Sequence, residues 1–293
     1  MSKRIESKVS KTALGTCLMR ASSYYEKDPY YKSEDFIAAM IIPSYLKAMV
    51  KYNISRTALK KVLFKVPGIY EYIVSRTKFI DEIFSSLDAK IEQVLILGAG
   101  FDSRTIRFKD KLTKAKMFEL DAPVTQQVKI NRFTKKNIPF PPNLTFISID
   151  FNTELLAEKL NEAGFQKNCR CLFLLEGLTY YLNPEAIEST LTLLSNYSAK
   201  DSLLVFDYAA ASFVSQEKMQ ADPKLKEHYQ SLVKAGERPG FAIAEQIQDF
   251  LAKYKFELVE EVNSIHLAKK YFNKDDFPTT AQQFRIVKAI KKV

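Results

Sequence analysis

The stretch Gln93-Val94-Leu95-Ile96-Leu97-Gly98-Ala99-Gly100-Phe101-Asp102 constrains this chain more than any other. Four apolar residues, Val94 to Leu97, run straight into Gly98, Ala99 and Gly100. A short unbroken apolar run closed by glycines reads as a strand buried on both faces, hence parallel, ending in a tight turn. Ligands of open α/β sheets bind beyond the carboxyl ends of the strands, where backbone comes close only if side chains are absent. Two readings of Gly98 and Gly100 stay open at this point. They line a nucleotide or adenosyl site, or they serve only a strand–turn–helix connection.

Residues 11–22 place Ala13, Leu14, Cys17, Leu18 and Ala21 on one helical face, with Arg20 near its end. Asp28-Pro29 interrupts that helix, and Ser33-Glu34-Asp35 offers a cap for the next, which carries Phe36, Ile37, Met40 and Ile41. Beyond a lysine-rich connector, residues 67–87 read as a long helix that contains Arg76. Residues 1–90 are therefore expected as a helical cap ahead of the first strand.

From residue 91 strands and helices alternate. Strands are predicted over 93–97, 115–120, 144–149, 170–175 and 202–206, ending near Gly98, Asp121, Asp150-Phe151, Glu176-Gly177 and Asp207-Tyr208. Asp102-Ser103 reads as a helix cap, Pro123 and Pro184 open helices, and a further helix is expected over 153–162. Residues 209–240 are polar and read as a helical insertion or lid. Residues 243–254 read as an amphipathic helix, and 256–262 and 283–289 as the last two strands. Right-handed crossovers between such units give an α/β fold: a doubly wound, mostly parallel seven-stranded sheet whose final pair can form an antiparallel edge. The 293 residues are expected to form one domain.

Four successive strands thus end in glycine or acid: Gly98/Gly100, Glu119/Asp121, Asp150 and Glu176. In a parallel sheet these ends share one rim, so residues distant in sequence become one site. A carboxylate after the second strand, either Glu119 or Asp121, can accept both hydroxyls of a ribose, with Asp121 favoured. That geometry serves NAD and S-adenosylmethionine alike. The glycine loop separates them. A dinucleotide fingerprint calls for Gly-x-Gly-x-x-Gly beneath a pyrophosphate, whereas here Ser103 stands at the third position and Asp102 beside it would repel phosphate. The sulfonium and ammonium of S-adenosylmethionine suit nearby acids such as Asp102 and Glu176, and its carboxylate calls for an arginine. The methyl donor is therefore preferred, and an NAD(P)-dependent oxidoreductase is the competing reading.

Three segments, Leu97-Gly98-Ala99-Gly100-Phe101-Asp102-Ser103-Arg104, Phe118-Glu119-Leu120-Asp121-Ala122-Pro123 and Glu176-Gly177-Leu178-Thr179-Tyr180-Tyr181-Leu182, resemble the leucine carboxyl methyltransferase family. This family holds eukaryotic protein phosphatase methyltransferases and a bacterial branch of S-adenosylmethionine-dependent O-methyltransferases. The resemblance extends to Thr12-Ala13-Leu14 with Arg20-Ala21, to Ser75-Arg76-Thr77 with Ile80-Asp81, and to Gly240-Phe241. It implies a donor-binding core over 91–208, completed by 241–293. It also implies that Arg76 binds the donor's carboxylate, that Gly98 and Glu176 lie at its amino group, and that Asp121 holds the ribose. Gly100 and Asp102 complete the loop, and Asp150 and Phe151 would frame the adenine. The match at Arg20 is to the bacterial branch, where a donor or acceptor pocket is expected; the phosphatase enzymes use a lysine in this region. Arg20, Tyr180 and Tyr181 are the acceptor-pocket candidates, although such tyrosines more often supply core and rim packing. A tRNA- or protein-modifying relative remains an alternative within the family.

Composition bounds the partners. Lysine and arginine number 44 against 34 acids, a formal charge of +10. The lysines are spread out and form no five-residue block, so the excess reads as a solvated surface and an anionic small-molecule acceptor rather than nucleic acid. Three cysteines and two histidines, His228 and His266, show no metal-ligand spacing, so neither a metal nor a disulfide framework is expected. No apolar run reaches membrane-spanning length and no signal core opens the chain, so a cytoplasmic protein is expected. A sulfonium donor is already activated, so transfer needs positioning more than a catalytic acid or base. With no histidine near a motif, a carboxylate or acidic hydroxyl is the expected acceptor, ester versus ether and oligomeric state being left open.

Overall fold

Strands built only of large apolar residues must be covered on both faces, and the centre of this sheet is made of them. In the computed structural model, which describes residues 8–52, 56–58, 66–151, 153–213, 215–221, 223–235, 239–278 and 281–292, β1 (Gln93–Leu97) and β4 (Cys171–Leu175) are buried along their whole length. Around them stand β2 (Lys116–Asp121), β3 (Leu144–Ser148), β5 (Leu203–Ala209), β6 (Phe256–Val262) and β7 (Phe284–Lys291), in the order β3-β2-β1-β4-β5-β7-β6. The first five pair in parallel. β7 runs antiparallel between β5 and β6. The seven-stranded, mostly parallel sheet expected from the alternation is present.

The helices, in chain order, are α1 (Lys11–Tyr24), α2 (Phe36–Ile41), α3 (Ser44–Lys51), α4 (Ile69–Ser85), α5 (Arg104–Arg107), α6 (Pro123–Lys135), α7 (Leu156–Glu162), α8 (Pro184–Tyr197), α9 (Gln216–Ala221), α10 (Pro223–Ala235), α11 (Ile247–Ala252) and α12 (Ser264–Phe272). Alternation along each strand divides the core between the two sheet faces. Val94, Ile96, Leu172 and Leu174 pack with Tyr72, Ile73 and Ile80 of α4 and with Leu267 of α12. Leu95, Leu97, Phe173 and Leu175 pack with Ile187, Leu191 and Leu194 of α8 and with Leu251 of α11. A third cluster joins Cys17, Leu18 and Ala21 of α1 and Ile37 and Ile41 of α2 to Phe101 and Phe133. That cluster seats the N-terminal helices on the glycine loop.

Three local expectations change, and one helix is added. The helix expected over 153–162 starts only at Leu156, because Glu154 accepts the Asp150 N–H (2.8 Å) and Asp150 accepts the Thr153 hydroxyl (2.9 Å), closing a separate turn first. The helix expected over 243–254 is confined to Ile247–Ala252, Ile243 being drawn into a bridge with Ala210. Strand β5 runs on to Ala209 because β7 pairs with it throughout, which puts Asp207 inside the strand. Helix α12 was not read from the sequence, although Asn263 caps it by accepting the His266 N–H. Residues 209–240 do contain helices, α9 and α10.

Candidate active site

The rim formed by the strand ends carries a cavity of about 560 Å³, a normal size for a small-molecule site. At its centre is the turn after β1. Gly98 (φ 66°) and Gly100 (φ 48°) both take left-handed backbone that an L side chain strains to adopt. A Cβ on Gly98 would stand 3.0 Å from Leu178 Cδ1, and one on Gly100 would stand 3.2 Å from Ala13 Cβ. These glycines therefore do more than turn the chain. They let α1 and the segment after β4 close on the loop.

The end of β2 supplies Asp121. Its carboxylate accepts the Gly100 N–H and the Ala122 N–H (2.6 Å), which locks it against the loop, and it lines the cavity. Burial pushes the Asp121 carboxyl up to about 6. Glu119, the other ribose candidate, is spent elsewhere: it accepts from Thr105 Oγ1 at 2.6 Å and pairs with Lys129 of α6.

Beyond the loop runs a chain of buried ion pairs, of which Arg20, Arg76, Asp102 and Glu176 line the cavity and the rest lie behind it. Arg76, from the middle of α4, sets Nε 2.8 Å from Glu176 Oε1 and Nη1 2.5 Å from Asp207 Oδ2. Arg104 Nη1 lies 2.5 Å from both Asp102 Oδ2 and Glu176 Oε2, and its Nε lies 2.8 Å from Asp81. Arg107 continues the chain to Asp81 (2.6 Å) and Asp35 (3.4 Å), and Arg20 closes it on Asp35 (3.0 Å) while donating to the Phe101 carbonyl (2.7 Å). Asp102 and Glu176 were expected to face a ligand's cations. Both line the cavity, but their charge is already met by arginine, as buried carboxylates require. Burial would raise the Asp102 carboxyl; Arg104, Lys129 and Arg20 overcome it and hold the group at about 2. Glu176 is likewise held below its ordinary range, Arg104 and Arg76 outweighing burial.

Asp207 is the residue the sequence reading passed over. Fully buried, it accepts from Tyr180 Oη (2.6 Å), Tyr72 Oη (3.0 Å) and Arg76 on Oδ2, and from the Gly177 N–H (2.6 Å) on Oδ1. Burial, reinforced by the Asp207 charge, drives the Tyr72 and Tyr180 hydroxyls well above the usual phenol range. The available signal was a carboxylate set in an otherwise apolar strand, Leu203–Ala209. Arg104 and Asp81 stood inside the matching segments without being assigned a role.

Of the other expected residues, Arg20, Tyr180 and Tyr181 line the cavity, whereas Asp150 and Phe151 are not among its lining residues. Asp150 closes the turn after β3, and Phe151 packs half-buried on the second core cluster. His266 is exposed at the start of α12, its ring 2.8 Å from Asn263, and the backbone of His228 lies in α10. Among the described residues no helix is long and apolar enough to cross a membrane.

A profile of the family described as leucine carboxyl methyltransferase matches residues 13–195 of this chain. A Bacillus subtilis (strain 168) protein, YktD, named as a candidate S-adenosyl-L-methionine-dependent methyltransferase, is 32% identical over 137 residues. That stretch is 46% of this chain and 45% of the Bacillus protein, so less than half of that relative's length is spanned. A Mycobacterium tuberculosis protein named in the same way is 26% identical over 226 residues, 74% of this chain and 70% of its own. Among solved structures, a candidate methyltransferase from Thermobifida fusca YX has a TM-score of 0.58 at 17% identity, covering 87% of this chain and 94% of that one. A SAM-dependent methyltransferase from Anabaena variabilis ATCC 29413 has a TM-score of 0.50 at 16% identity, covering 80% and 91%. At these identities the structural likeness speaks for the fold alone.

Proposed function

We infer that this chain, which belongs to the leucine carboxyl methyltransferase family and takes S-adenosyl-L-methionine as its methyl donor, is an O-methyltransferase for a carboxylate or acidic hydroxyl on an anionic small molecule. Asp121 would hold the ribose, the Gly98–Gly100 backbone and Glu176 would meet the amino end, and Arg76 would bind the carboxylate. The ion pairs of Arg76 engage Nε and Nη1, which leaves Nη2 for that carboxylate.

The charge count favours such a ligand. Arg20, Arg76, Arg104 and Arg107 face Asp35, Asp81, Asp102, Glu176 and Asp207, four cations against five anions. This network behind and along the donor end, with one excess negative charge and Asp121 beside it, complements a donor of net positive charge and gains less from the neutral product. When bound, the donor supplies an electrophilic methyl group: a carboxylate oxygen forms the new C–O bond, the C–S electron pair stays on sulfur, and no proton moves.

The state of the cavity's acids and phenols carries the choice of acceptor. Asp102 and Glu176 are paired with Arg104 and Arg76, and Tyr72 and Tyr180 spend their hydroxyls on Asp207. None of these four is placed to take a proton from a neutral alcohol, and Asp121 is committed to the ribose in this reading, whereas an acid arrives already ionised. Incubating a metabolite extract with isotopically labelled donor tests this directly. Label in a base-labile methyl ester is expected; label confined to ethers of neutral alcohols overturns the acceptor assignment. Calorimetry is expected to show binding of both S-adenosylmethionine and S-adenosylhomocysteine, and its failure for both would remove the donor site itself.

Asp121 adds a pH signature. Its folded value of about 6 lies above the ordinary Asp range, so the folded chain takes up a proton the unfolded chain does not. This group thus costs stability at neutral pH, and stability rises as the pH falls through about 6 toward the ordinary value. Ribose binding needs the ionised form and responds in the opposite sense. Donor affinity should drop about tenfold between pH 7 and pH 5, and Asp121→Asn should be weaker at pH 7 but nearly flat over that range. A flat profile in the parent protein removes Asp121 from the ribose.

A further inference from the structure

We propose that the acceptor is an aromatic carboxylic acid, its flat body packed on a wall of rings at the β5–β7 end of the cavity. This rests on the donor reading above, and strand order gives the reason. Along the rim, β2 presents Asp121, β1 the two glycines, and β4 Glu176 and Gly177. The groups assigned to the donor therefore occupy the β2–β1–β4 stretch, together with Arg76. The cavity continues past them to Phe213, in the segment after β5, and Phe284 of β7.

That remaining part is built of contiguous aromatic rings. Tyr72 stacks on Phe284 of β7 with centroids 4.9 Å apart, and Phe213 tilts against the same ring at 5.1 Å. Tyr180 meets Phe284 edge-on at 5.6 Å and Tyr181 at 5.1 Å. All five rings line the one cavity. Asp207 decides their polarity. Because it accepts both the Tyr72 and the Tyr180 hydroxyl, these tyrosines turn their polar ends inward; Tyr72, set between Phe284 and the Arg76 guanidinium, backs the wall, and Tyr180 and Tyr181 complete its lining. Leu232 of α10 lines the cavity and packs against the same core cluster, so the insertion shapes the acceptor site.

A polyhydroxylated or peptidic acceptor would lose its hydration against such a wall without recovering hydrogen bonds. A planar apolar body loses nothing and gains offset and edge-on ring contacts. The acid group has charge to meet as well: Lys11, an exposed cation, lines the cavity.

The test is a binding panel read by ligand-observed NMR on the full chain saturated with S-adenosylhomocysteine, so that no turnover occurs. Against acetate, decanoate, citrate and 2-naphthoate, the naphthoate should bind at least about tenfold tighter than acetate or citrate and roughly threefold tighter than decanoate. Tyr72 and Phe284 lie in the core, so the variants are Tyr181→Ala and Leu232→Ala, both at half-buried positions. Each should weaken naphthoate roughly tenfold and leave S-adenosylhomocysteine affinity within about twofold. Citrate binding as well as naphthoate, decanoate binding more tightly, or naphthoate affinity unmoved in both variants overturns the proposal. If the parent protein binds no S-adenosylhomocysteine, the donor reading fails. The panel is then titrated on the protein alone, where the same order of affinities and the same losses are still required.

Discussion

Arg76→Ala should lose S-adenosylmethionine binding by at least about a hundredfold and unfold on the order of 10 °C below the parent protein. Two effects add. The ligand loses the charge-assisted bond that Nη2 would give its carboxylate. It also meets Glu176 and Asp207 stripped of their cation, because Arg76 is the group that lies 2.8 Å from one and 2.5 Å from the other. Removing one partner from a buried ion pair costs about 3–5 kcal/mol, since the other charge stays buried and uncompensated. Arg76→Lys separates the two. Its ammonium restores a charge and should recover part of the lost melting temperature, yet it cannot engage two carboxylates and a ligand at once, so donor affinity should stay low. Calorimetry and thermal melts read both quantities. Arg76→Ala binding the donor within about threefold of the parent would end the assignment, since a buried charge-assisted bond is worth more than that.

The proposed donor half of the site can be read from the sequence because it lies where backbone and strand ends dictate chemistry. An apolar run meeting Gly98 and Gly100 needs no partner to be read as a strand and a close approach, and the acids at the next strand ends converge by topology alone. The roles of individual acids were harder. Asp121 and Glu119 sit two residues apart on one strand, and only Lys129, reaching across from α6, shows which of them is spent. Asp102 and Glu176 read as open carboxylates because Arg104, their common partner, lies on a four-residue helix with no periodicity to reveal its direction. Asp150 and Phe151 follow a strand end just as Asp121 does, yet the turn closed by Thr153 and Glu154 keeps them off the cavity lining. The dinucleotide alternative gives way to the family match over residues 13–195, and the acid excess of the ion-pair network beside the loop agrees with the repulsion that Asp102 suggested.

That excess makes Asp207→Asn the more discriminating experiment. The substitution keeps the shape of a fully buried side chain and removes one unit of charge, leaving four cations against four anions in the ion-pair network. Arg76, Tyr72 and Tyr180 donate to one oxygen of this carboxylate and the Gly177 N–H to the other, so the variant weakens the bonds to the oxygen it keeps and loses those at the other position, where its NH2 cannot accept. A loss of stability of about 2–4 kcal/mol is expected from bonds of that kind. The ligand readout is independent of that loss. S-adenosylmethionine carries one more positive charge than S-adenosylhomocysteine, and at an effective dielectric near 20 one charge acting over several ångströms is worth about 1–2 kcal/mol. The ratio of the two affinities should therefore fall roughly tenfold towards the product in Asp207→Asn, whatever happens to each alone. An unchanged ratio would mean that the network's net charge does not select the donor. Asp207 and Arg76 share a bond, so their effects on stability should be non-additive, the double variant losing less than the sum of the singles. If the two were additive, Asp207 would be holding Tyr72 and Tyr180 for the ring wall without tuning Arg76, and the coupling between ion-pair network and acceptor wall would be absent.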